Sequence, residues 1–407
     1  MAANSFKSAD AEFAPSINLV DPGLYTSGDP FAQWRWLRAN DPVHLHQATD
    51  FPGFWALTRH EDVKAVFRDA ETFSSAQGIL LRPSGHGADP GGGRTLALTD
   101  PPRHRQLRRL VEDWFALRSV RAIEARMREV AGNVIDLAVE REHCDFVADI
   151  AARIPLYIIC DMMGVPEPDW EDLFKLSRQA FGAGDPATRR FAHLEIMGYF
   201  EDLAVARTAS PADDLVSILV TGEVGGSRIS QEEVILNCDN LFVGGAENTR
   251  IAAAGGMLAF LENPEQWQRL VGDPALLPSA VEEVLRWTST PTHIARTALH
   301  PVEIRGRRID TGDLVTLWIP SANRDEEVFE DPDLFDVGRQ PNRHLALGFG
   351  EHFCVGNMLA RVEMRLLYEE LIGRPVRIEL GGEPIRLSSI VVNGLEQLPV
   401  KMVPVNS

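Results

Sequence analysis

The chain has 407 residues, 44% hydrophobic and 24% charged, enough apolar material for a large buried core. Its 59 acidic and 40 basic residues give a formal net charge of −19, which argues against a general nucleic-acid binder. Four cysteines, Cys144, Cys160, Cys238 and Cys354, show no paired spacing, so no disulfide framework is implied and a reducing, cytoplasmic setting is expected.

Residues 1–30 are polar and turn-rich, an expected extended arm without the apolar core of a signal peptide. No later run reaches the ~18–20 apolar residues of a membrane span. Phe31–Asn40 reads as a short helix, Pro42–His46 and Phe54–Thr58 as strands around a Phe51-Pro52-Gly53 turn, and His60–Ala70 as a helix. Gln77 to Leu98 is a long loop containing Pro83, Gly85, Gly87, Pro90 and three successive glycines from Gly91. Loops of that length in compact proteins are often functional. Ile79, Leu80, Leu81, Leu96 and Leu98 offer it an apolar wall, while Arg82 and Arg94 either meet a carboxylate or face solvent.

Thr99-Asp100-Pro101-Pro102 opens a helix that carries His104 and Arg108 four apart, on one face. Residues 118–211 read as helical, with breaks near 143–146, 164–166 and at Gly182, Gly184 and Pro186. Asp213–Thr221 is a further helix, followed by a hairpin-like segment at 222–228. Ser230 and Glu233 form a capping-box signature for a long helix running to about Leu261. Gly244 and Gly245 interrupt it, and each costs about 1 kcal/mol against alanine. Something must approach the backbone there, or the helix must kink. Pro264–Val271 and Leu277–Trp287 are helices, and the second places Glu283 and Arg286 three apart. Short strands are expected at 302–304, 308–309 and 314–318.

Last comes the run Leu347-Gly348-Phe349-Gly350-Glu351-His352-Phe353-Cys354-Val355-Gly356. It sets a cysteine behind a glycine-broken turn and ahead of a helix marked by Leu359, Val362 and Leu366 and stopped by Gly373 and Pro375. The positive end of that helix is expected to favour thiolate over thiol. A lone buried cysteine is the bland alternative, and a zinc site using His352 and Cys354 would need a second ligand pair.

This run closely resembles the haem-binding loop of cytochromes P-450, Phe-Gly-x-Gly-x-His-x-Cys-x-Gly, departing once, at Leu347. The resemblance implies a mainly α fold with small β-sheets (α+β), one domain over 1–407, and a long central helix over a buried haem. It implies one haem b per chain, with Cys354 as the metal ligand. His104, Arg108 and Arg296 would bind the propionates, and His352, Gly245, Phe349, Gly350 and Gly356 would surround the cofactor. Trp114 either approaches the haem edge or packs. Glu247 matches the acid of the family's oxygen-activating motif, but Asn248 stands where threonine is usual. Thr249 comes one residue late, a rotation of about 100°, and is expected to face elsewhere.

By the same resemblance, Leu80, Leu81, Leu96, Phe242, Thr292, His293, Ile294 and Asn393 would line the substrate pocket, His293 being either a specificity group or a packed side chain. Glu283, Arg286 and Arg339 would form a structural network. The implied activity is insertion of one oxygen atom from O2 into a mostly apolar molecule, as a tailoring hydroxylation or epoxidation. The chain lacks a dinucleotide fingerprint, so electrons would come from a ferredoxin and an NAD(P)H-dependent ferredoxin reductase, docked through Arg103, Arg105, Arg109 and Arg361. No nucleic-acid or membrane partner is expected. A peroxide-driven or rearranging haem-thiolate enzyme, a non-catalytic haem protein and a haem-free helical scaffold are the alternatives.

Overall fold

Apolar residues at helical spacing govern most of the chain, and a computed structural model describes residues 16–48, 50–84, 89–182 and 185–405. Residues 1–15, Gly85, Gly87 and Gly184 lie outside the described residues. The expected arm is anchored from residue 16 onward. Asp21 caps a short helix, Pro22–Thr26, by accepting from the Gly23 N–H at 2.9 Å. Leu19, Leu24 and Tyr25 are buried in one cluster with Trp34, of the helix Pro30–Asn40, and with Trp318.

Five short strands form one sheet: β1 (Val43–His46), β2 (Phe54–Leu57), β3 (Phe73–Ser74), β4 (Ile294–Ala298) and β5 (Leu314–Leu317). The order is β1-β2-β5-β4-β3, with β2 and β5 parallel and the other neighbours antiparallel. Strand alternation sends Ile294 and Arg296 to one face of β4 and the residues between and beside them to the other.

Eight helices position the site: α1 (His60–Arg68), α2 (Arg103–Val111), α3 (Arg153–Met162), α4 (Trp170–Phe181), α5 (Pro186–Ala209), α6 (Gln231–Glu262), α7 (Leu277–Thr288) and α8 (Asn357–Ile372). The long helix α6 starts at the expected capping box: Ser230 Oγ accepts from Glu233 N–H at 3.2 Å, and the Glu233 carboxylate accepts from Ser230 N–H at 2.9 Å. It runs through Gly244 and Gly245 without a break. Gly245 has a packing reason, because a Cβ there would sit 3.0 Å from Ile159 Cγ1 of α3. Gly244 faces open space, with nothing within 4 Å of where a Cβ would stand.

Within the stretch read as helical, His143–Asp145 is instead a strand paired with the C-terminal strand Pro399–Pro404, and a π-helical turn follows at Phe146–Ala151. That partner lies some 250 residues away, beyond the reach of local periodicity. Among the described residues, no helix is long and apolar enough to cross a membrane.

Glu283 and Arg286 of α7 are both fully buried and paired through two 2.8 Å bonds. Arg339 reaches the same carboxylate at 3.2 Å and Asn342 at 3.0 Å, while Arg286 also donates to the carbonyls of Asn323, Pro332 and Leu334. The charges are thus paired and their remaining donors used, the condition under which a buried ion pair is tolerated. Glu283→Ala strands two guanidinium groups and is expected to lower unfolding free energy by about 3–5 kcal/mol, measured by urea denaturation. Arg286→Ala should cost much less in that background than alone, because the two residues act as one unit.

Candidate functional site

The loop before α8 is shaped by its own backbone. Gly348 and Gly350 adopt φ of 71° and 72°, left-handed values that favour glycine. A Cβ on Gly350 would also come within 2.6 Å of the Phe67 carbonyl oxygen of α1. Cys354 N–H donates to Leu347 O at 2.9 Å, and Arg108 of α2 donates to Phe353 O at 2.8 Å, so the peptide group just before the sulfur is fastened at both its ends.

The loop forms part of the wall of a cavity of about 340 Å³. Cys354, Gly348, Leu347 and Gly356 line it from the loop, and α6 crosses another side with Asn240, Leu241, Gly244, Gly245, Asn248, Thr249 and Ala252. His104, Arg108, Arg296 and His352 gather at the same cavity although they come from α2, β4 and the cysteine loop. Phe349 and Gly350 do not line it. The Phe349 ring lies beneath the cations of Arg68 and Lys64, and Gly350 packs on α1. Trp114 packs against the main core.

Of the expected pocket residues, Ile79, Leu96 and Ile294 line the cavity. The others do not. Leu80 is 41% exposed, Leu81 is buried in the N-terminal cluster, and Phe242 is buried against Phe200 at 5.4 Å. Thr292 and His293, just before β4, are fully buried. Asn393 is bound to the Thr288 carbonyl at 3.0 Å. Asn240, Thr290 and Pro291 take their places. Asn240 was legible: it stands four residues before Gly244 and eight before Asn248, on one stripe of α6.

The central helix also differs from expectation at its acid. Glu247 turns away from this cavity into a smaller one, accepting from Arg250 at 2.7 Å and from Ser177 of α4 at 3.2 Å. Thr249, expected to face elsewhere, lines the main cavity with Asn248, because the cavity spans a broad sector of the helix. Thr249 approaches Glu363 of α8 without completing a hydrogen bond. Burial drives the Glu363 carboxyl well above the usual range, and neither of its oxygens has a hydrogen-bond partner. Glu363 was missed because it reads as one more polar residue of an amphipathic helix.

Burial raises the Cys354 thiol, outweighing the Gly356 N–H and the charges of Arg108 and Arg361, which pull the other way. The sulfur lies outside α8, whose first residue is Asn357, so the helix end does not by itself ionise it as expected. Arg296 is pushed down to about 10 by its burial, against a weaker pull from the Asp100 charge, and among the described residues the only hydrogen-bond acceptor it reaches is the Ala295 carbonyl. His104, lowered by burial and by Arg108, leaves its Nδ1 unpartnered among the described residues. His352 falls to about 3 through burial and the Arg296 charge; it packs at a tilt on His104 at 4.2 Å and meets Ser75 Oγ at 3.2 Å.

A buried cation without an anion is costly, and so is a buried donor without an acceptor. Both costs are relieved by a ligand with carboxylates at this edge and a metal above the sulfur. A haem with two propionates is such a ligand, and these residues fit it. Among the described residues no three His, Cys, Asp or Glu side chains cluster to hold a metal by themselves, so the zinc alternative has no ligand set. Of the four arginines expected to dock a redox partner, Arg103, Arg105 and Arg361 are held by Glu233, Glu351 and Glu282, and Arg109 alone has no carboxylate partner among the described residues. Arg82 and Arg94 also meet carboxylates, those of Asp89 and Glu232.

The family model for cytochrome P-450 matches residues 201–374. Cytochrome P-450 NovI of Streptomyces niveus is 36% identical over 95% of this chain and 96% of its own length. The steroid C26-monooxygenase of Mycobacterium tuberculosis is 36% identical over 96% of this chain and 98% of its own. The crystal structure of P-450 OxyD, which is involved in the biosynthesis of vancomycin-type antibiotics, superposes with a TM-score of 0.89 at 37% identity, over 96% of this chain and all of that one.

Arg296→Met should act with opposite signs on the two forms. It is expected to raise the urea midpoint of the haem-free protein, by removing a stranded charge. It should weaken haem retention about ten- to a hundredfold, the worth of a charge-assisted bond of about 1.5–3 kcal/mol, measured by haem transfer to a scavenger protein.

Proposed function

The chain belongs to the cytochrome P-450 family of haem monooxygenases, and from that premise we propose that it hydroxylates or epoxidises a sizeable, mostly apolar molecule in a secondary-metabolite pathway, with electrons from a ferredoxin and its NAD(P)H-dependent reductase. The observation that carries this reading is the meeting of Cys354, a stripe of α6 and the buried Arg296 guanidinium at one cavity. Bound haem supplies reductive activation of O2 at its iron. Cys354 would hold that iron through its sulfur. Arg296, His104, Arg108 and His352 would hold the carboxylates, each as a donor to an oxygen.

On the other side of the cavity, Asn248 is the proton-handling candidate, because its carboxamide both donates and accepts and can hold a water. Glu247 would join that relay only by releasing Arg250 and Ser177. Substrate would lie along α6 and against Ile79, Leu96 and Ile294, where the lining is apolar apart from Asn240, Asn248, Thr249 and Thr290. Such a lining suits a lipophilic molecule with one or two hydrogen-bonding groups. OxyD's part in antibiotic biosynthesis supports a tailoring role.

Oxygen incorporation with NAD(P)H, ferredoxin and reductase, compared with peroxide alone, tests the reading; turnover confined to peroxide would replace it with the peroxide-driven alternative. Cys354→Ser is expected to abolish the displaced absorption band that carbon monoxide gives with reduced cysteinate-ligated haem. Asn248→Ala should keep that band and lower the product formed per NADPH consumed. Asn240→Leu is expected to weaken binding of a ligand bearing a terminal carbonyl about tenfold, the worth of one hydrogen bond, and to spare its hydrocarbon analogue, read by spectral titration.

A further inference from the structure

Three pieces of chain run side by side next to β4. Ile79 O accepts from Ala295 N–H at 2.7 Å, Val391 O accepts from Thr292 N–H at 2.9 Å, and Thr290 O accepts from Asn393 N–H at 3.0 Å. The segment 290–295 is therefore flanked by the long loop around residue 80 and by the C-terminal loop around residue 391. Ile79, Thr290 and Pro291 line the cavity, so the spacing of these pieces shapes one wall of it.

We propose that His293 is the positioning residue that locks both loops together and so sets the shape of the substrate cavity. Its Nδ1 lies 3.1 Å from Ile390 O, and its Nε2 lies 3.0 Å from Leu81 N. A carbonyl oxygen can only accept, so Nδ1 carries the proton. A backbone N–H can only donate, so Nε2 is bare. One neutral tautomer satisfies both partners at once. The ring is fully buried and lies 5.2 Å from the Trp318 indole, which is itself pinned to Thr316 Oγ1 at 2.9 Å. Among the described residues, no other side chain hydrogen-bonds to both loops. His293 acts at a distance from the chemistry, through Leu81 and Ile390, and touches neither the cavity nor the sulfur loop. The inference stands whether or not the proposed substrate class is right.

Hydrogen–deuterium exchange on the haem-bound protein tests it. In His293→Phe a ring still packs on Trp318 but both bonds are gone. Exchange in residues 77–82 and in residues 388–393 is then expected to quicken about tenfold or more, the loss of a bond worth about 1–1.5 kcal/mol. His293→Gln can donate and accept through its carboxamide, and should return both segments to within about threefold of wild type. The optical dissociation constant of 4-phenylimidazole should rise in the Phe variant, and that of imidazole should not. Unchanged exchange, loosening of one segment alone, or a Gln variant as loose as the Phe variant would each overturn the proposal. If His293→Phe fails to retain haem, wild-type protein decides: Leu81 N–H must exchange more slowly than Leu80 N–H, and equal rates overturn it.

Discussion

A guanidinium sealed away from water with no carboxylate to meet it is the constraint around which the rest of this molecule is arranged. Arg296 is held on the cavity face of β4 by strand alternation, and among the described residues its hydrogen-bond acceptor is the Ala295 carbonyl alone. His104 has a nitrogen unpartnered among the described residues and packs at a tilt on His352. Glu283 and Arg286, by contrast, complete each other's pairing. The contrast separates scaffold from site: where the chain completes its own pairing the structure is self-sufficient, and where it stops short a ligand completes it.

The sulfur and the helix opposite it obey the same logic. Cys354 is presented by a loop whose conformation depends on glycines in left-handed angles and on α1 and α2 packed against it. Its thiol is raised by burial, so a cation is needed to keep the sulfur anionic. Across the cavity, α6 stays continuous and offers amides where the family usually places a hydroxyl. The acid beside them, Glu247, is engaged elsewhere by Arg250 and Ser177. In the proposed function, proton supply and substrate grip converge on one stripe of α6, in which Asn248 serves both.

Much of this was legible in the chain. The capping box at Ser230 and Glu233 fixed the start of α6, because capping is a contact between residues three apart. Helical spacing put His104 and Arg108 on one face, and the glycine-broken cysteine run was visible as a motif. Pocket residues were less legible. Leu81 and Phe242 are buried, as their apolar types imply, and Thr292 and His293 are buried although polar, yet none of the four lines the cavity. A side chain's burial follows from its chemistry, but which interior surface it meets depends on what packs beside it.

The sequence by itself determined the cysteine and its loop, the order and extent of most helices, and the family, because all of these are recorded in short-range spacing. Tertiary structure alone decided that Arg296 would be stranded, that Glu247 would meet Ser177 of α4 while Thr249 joined the cavity, and that three of four surface arginines would be neutralised by acids from distant segments. It alone brought Leu81, His293 and Ile390 together, across more than three hundred residues of chain. The physical reason is common to all of these: local propensity reads contacts within a turn or two, whereas the pairing of a buried charge or a lone N–H depends on which remote groups close packing brings within about 3 Å of it.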